Sequence, residues 1–366
     1  MSVKIICVVG TRPEAIKMAP VILALRQTPW AHVRVLATAQ HREMLDDALS
    51  VFDIVPDIDL DIMRPRQSLP ELTARLLTAL DRVMADEAPD VVLAQGDTTT
   101  VLATAMASFY RRIPFCHVEA GLRTHDFSNP FPEEMNRVLA GHLARLHFAP
   151  TEQAKSNLRK EGVAAERIFV TGNTVIDALL SVAAKNAELD IEVPMGKRLV
   201  LLTAHRRENF GAPLDEIFDA VLTLAKRHPE LHFVYPVHPN PRVAEPAKNR
   251  FENVSGVTLC SPLGYAQMVT LMKHSWLILT DSGGLQEEAP ALGKPVLVLR
   301  DETERPEAVE AGVAQLVGHD PERIVAWVEK LLSNEAAYRA MATGVSPYGD
   351  GHAAQRIVDI LGRVFL

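Results

Sequence analysis

The sequence predicts an α/β protein of two doubly wound domains, each with a parallel sheet covered by helices. Short apolar runs rich in valine, isoleucine and leucine alternate with longer segments of helical spacing. Near-continuous apolar runs are typical of parallel strands that are buried on both faces. The runs form two sets of about six, and a length of 366 residues agrees with about two domains. The polar stretch 185–197 interrupts the series, which disfavours an eight-fold βα barrel.

The predicted strands are the apolar runs themselves. In the first half of the chain they lie at 3–9, 33–38, 91–94, 115–118, 147–149 and 168–171. In the second half they lie at 199–203, 232–237, 257–260, 276–280, 295–299 and 314–317. The clearest helix between them has apolar residues at steps of three and four, namely Leu69, Leu72, Leu76, Leu80 and Val83. We expect the first domain to end at residue 172, and the polar stretch 185–197, with the strand that ends at 171–172 before it, to mark the hinge region.

The composition excludes several classes of protein. The chain has 38 Lys and Arg against 46 Asp and Glu, a net charge of −8, whereas proteins that bind nucleic acid normally carry a basic surplus. The longest uncharged stretch, 253–272, is interrupted by glycine, proline and polar residues, so no membrane span is expected. The N-terminal apolar run is too short for a secretory signal. The three cysteines lie in separate apolar runs, which predicts reduced thiols and a cytoplasmic location.

The charged residues collect where the predicted strands end, which is where doubly wound folds bind their ligands. In the first half these strand ends carry Arg12 and Lys17, then Asp97, then Glu119. In the second half they carry His205 and Arg206, His238, the run Asp281-Ser282-Gly283-Gly284, and Arg305. We therefore expect two such edges to face each other across a cleft.

The run Ser282-Gly283-Gly284 is the strongest single motif. A strand leads directly into two glycines and a helix, an arrangement that lets an anion approach free backbone N–H groups. Glu288 lies further along that helix, where a carboxylate can accept hydrogen bonds from ribose hydroxyls. Arg12, Lys17 and Arg305 supply cations for a diphosphate. A small anionic ligand is the prediction.

Each residue is also compatible with a simpler role. Asp97 can be an N-cap, and Glu133 with Glu134 can offset a helix dipole. Arg12 and Lys17 can be solvated surface charges, and His205 a structural histidine. Their joint placement at strand ends favours a ligand site over these separate explanations.

Known cofactor motifs are absent from the sequence. It contains no G-x-G-x-x-G and no G-x-x-x-x-G-K-[ST], which disfavours a nicotinamide cofactor and a Walker-type ATPase. The H-x-E of His117 and Glu119 is not followed by the P-C-x-x-C of zinc deaminases. A metal site from these two residues with Asp97 and His205 is left open, but it matches no known ligand spacing. We predict no cofactor and no metal.

Nine segments together resemble the non-hydrolysing UDP-N-acetylglucosamine 2-epimerases. They are GTRPEAIKMAP (10–20), QHREMLD (40–46), QGDTTT (95–100), HVEAGLRT (117–124), NPFPEEMNR (129–137), TAHRREN (203–209), YPVHPNP (235–241), TDSGGLQEEAP (280–290) and TERPEAVEAG (303–312). The matches cover essentially the whole chain, and so many spaced motifs are far more specific than any one alone.

The resemblance implies a glycosyltransferase-B-like fold of two Rossmann-like domains. The last helix, at about 353–365, would return to the N-terminal domain. The domains would then be 1–172 with about 350–366, which carries the catalytic carboxylates, and 173–349, which binds UDP. The resemblance further implies a homodimer.

The resemblance also implies the reaction and its residues. The family interconverts UDP-N-acetylglucosamine and UDP-N-acetylmannosamine by inverting C2, without a cofactor. By match to the family motifs the acid/base carboxylates are Asp97, Glu119 and Glu133, and His205 stabilises or protonates the leaving phosphate. Arg12 and Lys17 would contact substrate and phosphate, Ser282, Gly283 and Gly284 would hold the diphosphate, Glu288 the ribose, and Arg305 the UDP. A second UDP-N-acetylglucosamine would bind as an activator at Gln40, Arg66, Arg206 and His238.

One departure and three alternatives stay open. Some bacterial relatives carry glutamine and an aromatic residue where this chain has Leu263 and Met268, which puts the uracil contacts in doubt. A hydrolysing 2-epimerase would release N-acetylmannosamine and UDP. A glycosyltransferase of the same fold would need an acceptor, and a non-catalytic sensor would bind UDP-sugars without turnover.

Overall fold

The computed structural model describes residues 2–38, 42–64, 67–189, 191 and 194–366. Two compact units are formed, one of Met1–Ala178 with Tyr348–Leu366 and one of Leu179–Pro347. The strands are β1 Val3–Val9, β2 Ala31–Ala37, β3 Ile58–Asp59, β4 Val91–Gln95, β5 Phe115–Val118, β6 Leu146–Ala149, β7 Ile168–Val170, β8 Arg198–Thr203, β9 Leu231–Pro236, β10 Val257–Cys260, β11 Leu277–Thr280, β12 Val296–Val298 and β13 Ala314–Leu316. The helices are α1 Arg12–Arg26, α2 Arg42–Ser50, α3 Leu69–Glu87, α4 Thr99–Tyr110, α5 Glu133–Leu143, α6 Glu152–Lys160, α7 Thr174–Lys185, α8 Ala212–Arg227, α9 Pro241–Phe251, α10 Tyr265–His274, α11 Gly283–Glu288, α12 Pro306–Glu310, α13 Pro321–Ser333, α14 Glu335–Met341 and α15 Ala353–Phe365.

The first unit is built on a parallel sheet of seven strands in the order β3-β2-β1-β4-β5-β6-β7. Strand β1 lies between β2 and β4, so the strand order reverses beside it. The carboxyl ends of β1, β4 and β5 are therefore neighbours at one edge of the sheet. In doubly wound folds the ligand binds at such a reversal.

Helix α3 shows how the sequence pattern becomes packing. It begins at a capping box in which Ser68 and Glu71 satisfy each other's backbone N–H groups. Leu72, Leu76 and Leu80 are buried at the predicted spacing. Burying each of these side chains stabilises the fold by roughly 1.5–3 kcal/mol.

The second unit has a parallel sheet of six strands in the order β10-β9-β8-β11-β12-β13. Strand β8 lies between β9 and β11, so this sheet also reverses its order beside its first strand. Its core packs Tyr235, Phe218 and Phe251 edge-on, with ring centroids 4.7–6.4 Å apart. The carboxyl ends of β8, β11 and β12 are neighbours at the corresponding edge of this sheet.

The last helix belongs to the first unit. Asp177 in α7 caps α15, because its two carboxylate oxygens accept the backbone N–H groups of Ala353 at 3.2 Å and Ala354 at 2.8 Å. One face of α15 is buried, including Ile357 and Leu361, and the helix packs on α1. The chain enters the second unit within α7 and leaves it before Tyr348.

The predicted fold class is confirmed. Each of the twelve predicted strands corresponds to an observed strand, with ends that differ by two residues or fewer. Strand β3 was not predicted, because two residues are too short for an apolar pattern. Across the described part of the chain, no helix is both long enough and apolar enough to cross a membrane.

Candidate active site

Glycine and left-handed backbone shape the strand ends of the first unit. A Cβ atom on Gly10 would lie 2.5 Å from Thr100 Oγ1 and 2.6 Å from Thr38 Oγ1, so only glycine fits between β1 and α1. Glu119 directly follows β5 and has a φ of 60°. That conformation is costly for a residue with a side chain, and such strain occurs at functional sites.

The Glu119 carboxylate is held by three donors. Lys17 Nζ lies 2.6 Å from Oε1, and Asn173 Nδ2 donates to the same oxygen at 3.0 Å. Gln95 Nε2 donates to Oε2. Glu119 is buried and Lys17 nearly so. The carboxylate is therefore fixed in one orientation before any ligand binds.

Asp97 lies at the end of the neighbouring strand β4 and is anchored through its backbone. Its carbonyl oxygen accepts a hydrogen bond from Asn136 Nδ2 at 2.9 Å. Its carboxylate oxygen Oδ2 lies 3.5 Å from Arg137 Nε, and 32% of the side chain is exposed. The backbone fixes the residue while the carboxylate stays accessible to a ligand.

The surroundings of Asp97 change its acidity. Desolvation raises the pKa of Asp97 to about 6, and the Glu119 and Glu133 carboxylates add to the rise, against the opposing charges of Arg137 and Lys17. Near neutral pH this carboxyl group is therefore present in both protonation states. That is the property that general acid–base catalysis requires.

Glu133 and Glu134 begin helix α5 and differ in their surroundings. Glu134 is fully buried, and its carboxylate accepts the backbone N–H of Thr124 at 3.0 Å and of His125 at 2.9 Å. Glu133 is half-buried, and its charge contributes to the raised pKa of Asp97. Glu134 is thus a structural group, whereas Glu133 remains accessible for chemistry.

Glu14 joins the loops that follow β1 and β4, and it was not singled out from the sequence. Its carboxylate oxygen Oε2 accepts the backbone N–H groups of Gly10 at 2.5 Å and Thr11 at 2.9 Å, and Thr98 Oγ1 donates to Oε1. Burial raises the pKa of Glu14 to about 7. Its signal in the sequence was the capping-box spacing from Thr11.

His117 supports this edge of the sheet from within. Its Nε2 atom lies 2.7 Å from the carbonyl oxygen of Gly96, and burial lowers its pKa to about 4. His117 thus fixes the backbone beside Asp97.

Among the residues whose positions are described, no three His, Cys, Asp or Glu side chains are grouped to hold a metal ion.

The Ser282-Gly283-Gly284 turn leads from β11 into α11 in the second unit. A Cβ atom on Gly283 would lie 3.6 Å from Arg206 Nη2, and one on Gly284 would lie 3.9 Å from Ser282 Oγ. Both are ordinary contacts, and neither glycine has a positive φ. The packing of the protein therefore does not require these glycines, whereas close approach of a ligand to the backbone would.

Helix α11 carries two adjacent buried carboxylates with different partners. Glu288 Oε1 accepts a hydrogen bond from the Tyr265 hydroxyl at 2.9 Å. Glu287 forms an ion pair with Arg305, which follows β12. The hydrogen bond from Tyr265 fixes Glu288, to which the resemblance assigns the ribose. The ion pair with Glu287 fixes Arg305, to which the resemblance assigns the UDP.

His205 follows β8 and is placed by Asp281, which follows β11. Oδ2 of the fully buried Asp281 accepts the backbone N–H groups of His205 and Arg206, each at 2.7 Å, and Asn209 Nδ2 at 3.0 Å. The His205 ring stacks on His238 with centroids 5.3 Å apart. Burial lowers the pKa of His205, the Asp281 charge opposes this, and the His238 and Arg206 charges add to it.

Comparison with known proteins identifies the family. A family model described as UDP-N-acetylglucosamine 2-epimerase matches residues 23–362. The chain belongs to the UDP-N-acetylglucosamine 2-epimerase family. The epimerase of Escherichia coli K12 is 54% identical over 98% of both chains, and that of Salmonella typhimurium is 53% identical over 98% of both.

Solved epimerase structures have the same fold. The UDP-GlcNAc 2-epimerase from Neisseria meningitidis, bound to UDP-GlcNAc, has a TM-score of 0.89 at 47% identity, over 98% of this chain and 100% of that one. A putative epimerase from Listeria monocytogenes has a TM-score of 0.93 at 46% identity, over 100% and 97%. The glycotransferase of kitacinnamycin has a TM-score of 0.68 at 13% identity, over 99% of each chain, which shows the fold alone. The predicted membership of the UDP-N-acetylglucosamine 2-epimerase family and the glycosyltransferase-B-like fold are confirmed.

The residues that the epimerase resemblance singled out lie in two groups, one in each unit. The first unit holds Arg12, Lys17, Asp97, Glu119 and Glu133, and the second holds His205, Arg206, His238, Ser282, Gly283, Gly284, Glu288 and Arg305. Gln40 and Arg66 lie outside the described residues. Lys17, expected to contact phosphate, forms an ion pair with Glu119. The sequence did not predict that Gln95, Asn173, Tyr265 and Asp281 hold these residues in place.

Proposed function

We propose that the protein interconverts UDP-N-acetylglucosamine and UDP-N-acetylmannosamine by inversion at C2, without a redox cofactor and without hydrolysis. The observation that carries the proposal is that Asp97 and Glu119 lie at the ends of neighbouring strands. One carboxylate is fixed by three donors, and the pKa of the other lies near neutrality. The identity of the substrate is inferred from the names of the relatives given above.

The chemistry of the sugar explains the need for such groups. The C2 proton is not adjacent to a carbonyl group, so a base alone cannot remove it. Elimination is the available route: the C2–H and C1–O bonds break, a C1–C2 double bond forms, and the electron pair leaves with UDP. The products are 2-acetamidoglucal and UDP, which recombine after a proton has been added to the opposite face of C2.

Two proton-transfer groups are the minimum for this inversion, one for each face of C2. Asp97, Glu119 and Glu133 are the candidates, and their assignment to faces is left open. Asp97 can give or take a proton at neutral pH because its pKa is about 6. Lys17 neutralises the charge of Glu119 within its own unit.

Residues of the second unit bind the leaving group, UDP. The Ser282-Gly283-Gly284 turn binds the diphosphate, Glu288 the ribose, and Arg305 the UDP. His205 stabilises the charge that develops on the departing phosphate oxygen, and Arg12 contributes a further cation. Interactions with charge that forms in the transition state are those that accelerate the reaction.

Two further properties belong to the same proposal. We expect a homodimer, which light scattering would show as twice the chain mass of 40.3 kDa. We also expect a second UDP-N-acetylglucosamine to activate the enzyme through Gln40, Arg66, Arg206 and His238. A sigmoidal dependence of rate on UDP-N-acetylglucosamine would support activation, and a hyperbolic dependence would remove it from the proposal.

NMR analysis of products tests the function. The purified protein, given UDP-N-acetylglucosamine alone, should form UDP-N-acetylmannosamine until equilibrium, with no free sugar. Free N-acetylmannosamine with UDP would establish the hydrolysing alternative instead. UDP release only on addition of an acceptor would indicate a glycosyltransferase, and binding without turnover a sensor.

Paired variants make this test specific. Asp97→Asn and Glu119→Gln should each lower turnover by about two orders of magnitude or more, the scale of general acid–base catalysis. Asp81→Asn is the matched control, because Asp81 is an exposed carboxylate paired with Arg111 on the helical surface. It should retain normal turnover.

A further inference from the structure

Asp281 has one carboxylate oxygen that the fold does not use. Its side chain is fully buried, and Oδ2 alone accepts the three hydrogen bonds from the His205–Asn209 segment. Oδ1 has no hydrogen-bonding partner among the residues that the structure describes. A buried carboxylate oxygen without a partner is unfavourable, so this arrangement needs an explanation.

The unused oxygen faces the ring of His205. His205 Nδ1 lies 3.8 Å from Oδ1, just beyond hydrogen-bonding distance. The His205 side chain is 37% exposed, so its ring has room to rotate slightly. Catalytic hydrogen bonds are often long in a free enzyme and shorten when the ligand binds.

We propose that Asp281 is the positioning residue of His205: when the diphosphate is bound, Oδ1 accepts the Nδ1–H of His205 and thereby directs Nε2–H to the leaving phosphate oxygen. This inference rests on the proposed function, in which His205 acts on that oxygen. Asp281 does not touch the substrate and accepts no proton. It fixes the orientation of the ring and stabilises the imidazolium form.

The charges around His205 show why such a partner is needed. Burial and the neighbouring His238 and Arg206 lower the pKa of His205, and Asp281 opposes them. The Tyr235 hydroxyl reaches the same loop from strand β9 and donates to the Ala204 carbonyl oxygen at 2.6 Å. Of these neighbours, Asp281 supplies the negative charge that favours imidazolium.

A purely structural role for Asp281 is the competing explanation, and Asp281→Asn separates the two. The amide oxygen of asparagine can still accept the backbone N–H groups of His205 and Arg206. Its NH₂ group then replaces Oδ1 and offers His205 Nδ1 a donor in place of an acceptor. A structural role alone would lower the pKa of His205 only through the lost charge, and would leave the tautomer of neutral His205 as it is in the wild type.

The experiment is a ¹⁵N NMR titration of histidine-labelled protein with saturating UDP. The His205 signals are assigned by their loss in His205→Asn among the 13 histidines. In Asp281→Asn the pKa of His205 should fall by about one unit or more, since an opposite charge at this distance shifts a pKa by about 1–3 units.

The kcat of Asp281→Asn should fall tenfold or more with KM changed less, and the alkaline limb of the kcat profile should move to lower pH. An unchanged His205 titration in folded Asp281→Asn would overturn the proposal.

Two further samples keep the test decisive. Tyr235→Phe is the matched control, because it removes a buried hydrogen bond from the same loop but leaves the Asp281 charge; its His205 titration should match that of the wild type. If Asp281→Asn does not fold, the wild type with UDP still decides: neutral His205 must carry its proton on Nδ1, and a proton on Nε2 would overturn the proposal. These signals do not depend on turnover, so a failed epimerase assay with the expected titration would contradict the function alone.

Discussion

Lys17 Nζ lies 2.6 Å from Glu119 Oε1, although the two residues are 102 positions apart in the sequence. The contact links the first turns of α1 to the loop after β5, and both side chains are largely buried. A buried ion pair restrains its members more than an exposed one, because a lone charge left behind is costly. The pair therefore fixes the Glu119 carboxylate at the edge where strands β1, β4 and β5 end.

Substitution of Lys17 should leave the Glu119 carboxylate without its ion-pair partner. We expect Lys17→Met to lower the free energy of unfolding by about 2–4 kcal/mol, because the buried Glu119 then retains only neutral donors. In a double-mutant cycle with Glu119→Gln, the two substitutions should show a coupling of about 1–3 kcal/mol. The exposed pair of Lys155 and Glu152 on α6 provides the control, and Lys155→Met should change stability by less than about 0.5 kcal/mol. Additive effects of the two Lys17 and Glu119 substitutions would contradict the structural role of the pair.

Asp97 should make the protein less stable as the pH rises. The folded-state pKa of about 6 lies above the ordinary value of 3.8, so folding favours the protonated form. The associated stability is complete below pH 3.8 and is lost as the pH rises through 6. Relative to the wild type, Asp97→Asn should therefore gain about 1–2 kcal/mol of stability between pH 4 and pH 8, after allowance for partial exposure.

Asp81 provides a control of opposite sign for this titration. A hydrogen bond from Arg111 lowers the pKa of Asp81, so its contribution is present above the ordinary pKa and lost on acidification. Asp81→Asn should lose stability relative to the wild type as the pH rises. Chemical denaturation at several pH values measures both variants, and parallel curves for Asp97→Asn and the wild type would contradict the raised pKa.

The two glycines of the Ser282-Gly283-Gly284 turn should be required by the ligand and not by the fold. Gly283→Ala and Gly284→Ala should fold normally, because the added Cβ meets only ordinary contacts. Their stability should be unchanged or greater by up to about 1 kcal/mol, the helix propensity gained over glycine. The added methyl group should nevertheless weaken UDP binding at least tenfold in calorimetry. Normal UDP affinity in both variants would remove this turn from the diphosphate site.

Tyr265 should act on ribose recognition through Glu288. Tyr265→Phe removes the 2.9 Å hydrogen bond to Glu288 Oε1, and we expect UDP affinity to fall about three- to tenfold, the net value of a typical hydrogen bond. The loss should be smaller for 2′-deoxy-UDP, which lacks one of the hydroxyls assigned to Glu288. Tyr338→Phe is the control, because the Tyr338 hydroxyl donates to the Trp276 carbonyl oxygen at 2.8 Å elsewhere in the same unit. Equal losses for both nucleotides would contradict the ribose assignment.

Local pattern was sufficient to predict twelve of the thirteen strands that the described residues form, and the residues at the strand ends. Buried parallel strands are continuous apolar runs, so the polar residue that ends each run marks the carboxyl edge of the sheet, as Asp97 and Glu119 do. Pattern could not predict which side chains hold them. Asn173 contacts Glu119 across 54 positions, and Asp281 contacts the His205 backbone across 76. Such partners depend on sheet order, and no local spacing encodes it.

Lys17 illustrates the same limit. Helical spacing placed it one turn into α1, beside the loop that follows β1, and the resemblance assigned it to phosphate. The structure pairs it with Glu119, because β5 lies two strands away from β1 in the sheet and its following loop reaches the same edge. The sequence shows on which face of a helix a residue lies, whereas its contact partner depends on the order of the strands in the sheet.

Exchange of the C2 hydrogen tests the central claim most directly. The purified protein should be incubated with UDP-N-acetylglucosamine in D₂O, without added cofactor, and the recovered sugar nucleotides examined by ¹H NMR and mass spectrometry. We predict deuterium at C2 of both UDP-N-acetylglucosamine and UDP-N-acetylmannosamine, with about a hundredfold slower incorporation in Asp97→Asn. Retention of the C2 hydrogen by protein that binds UDP-N-acetylglucosamine normally would contradict the account.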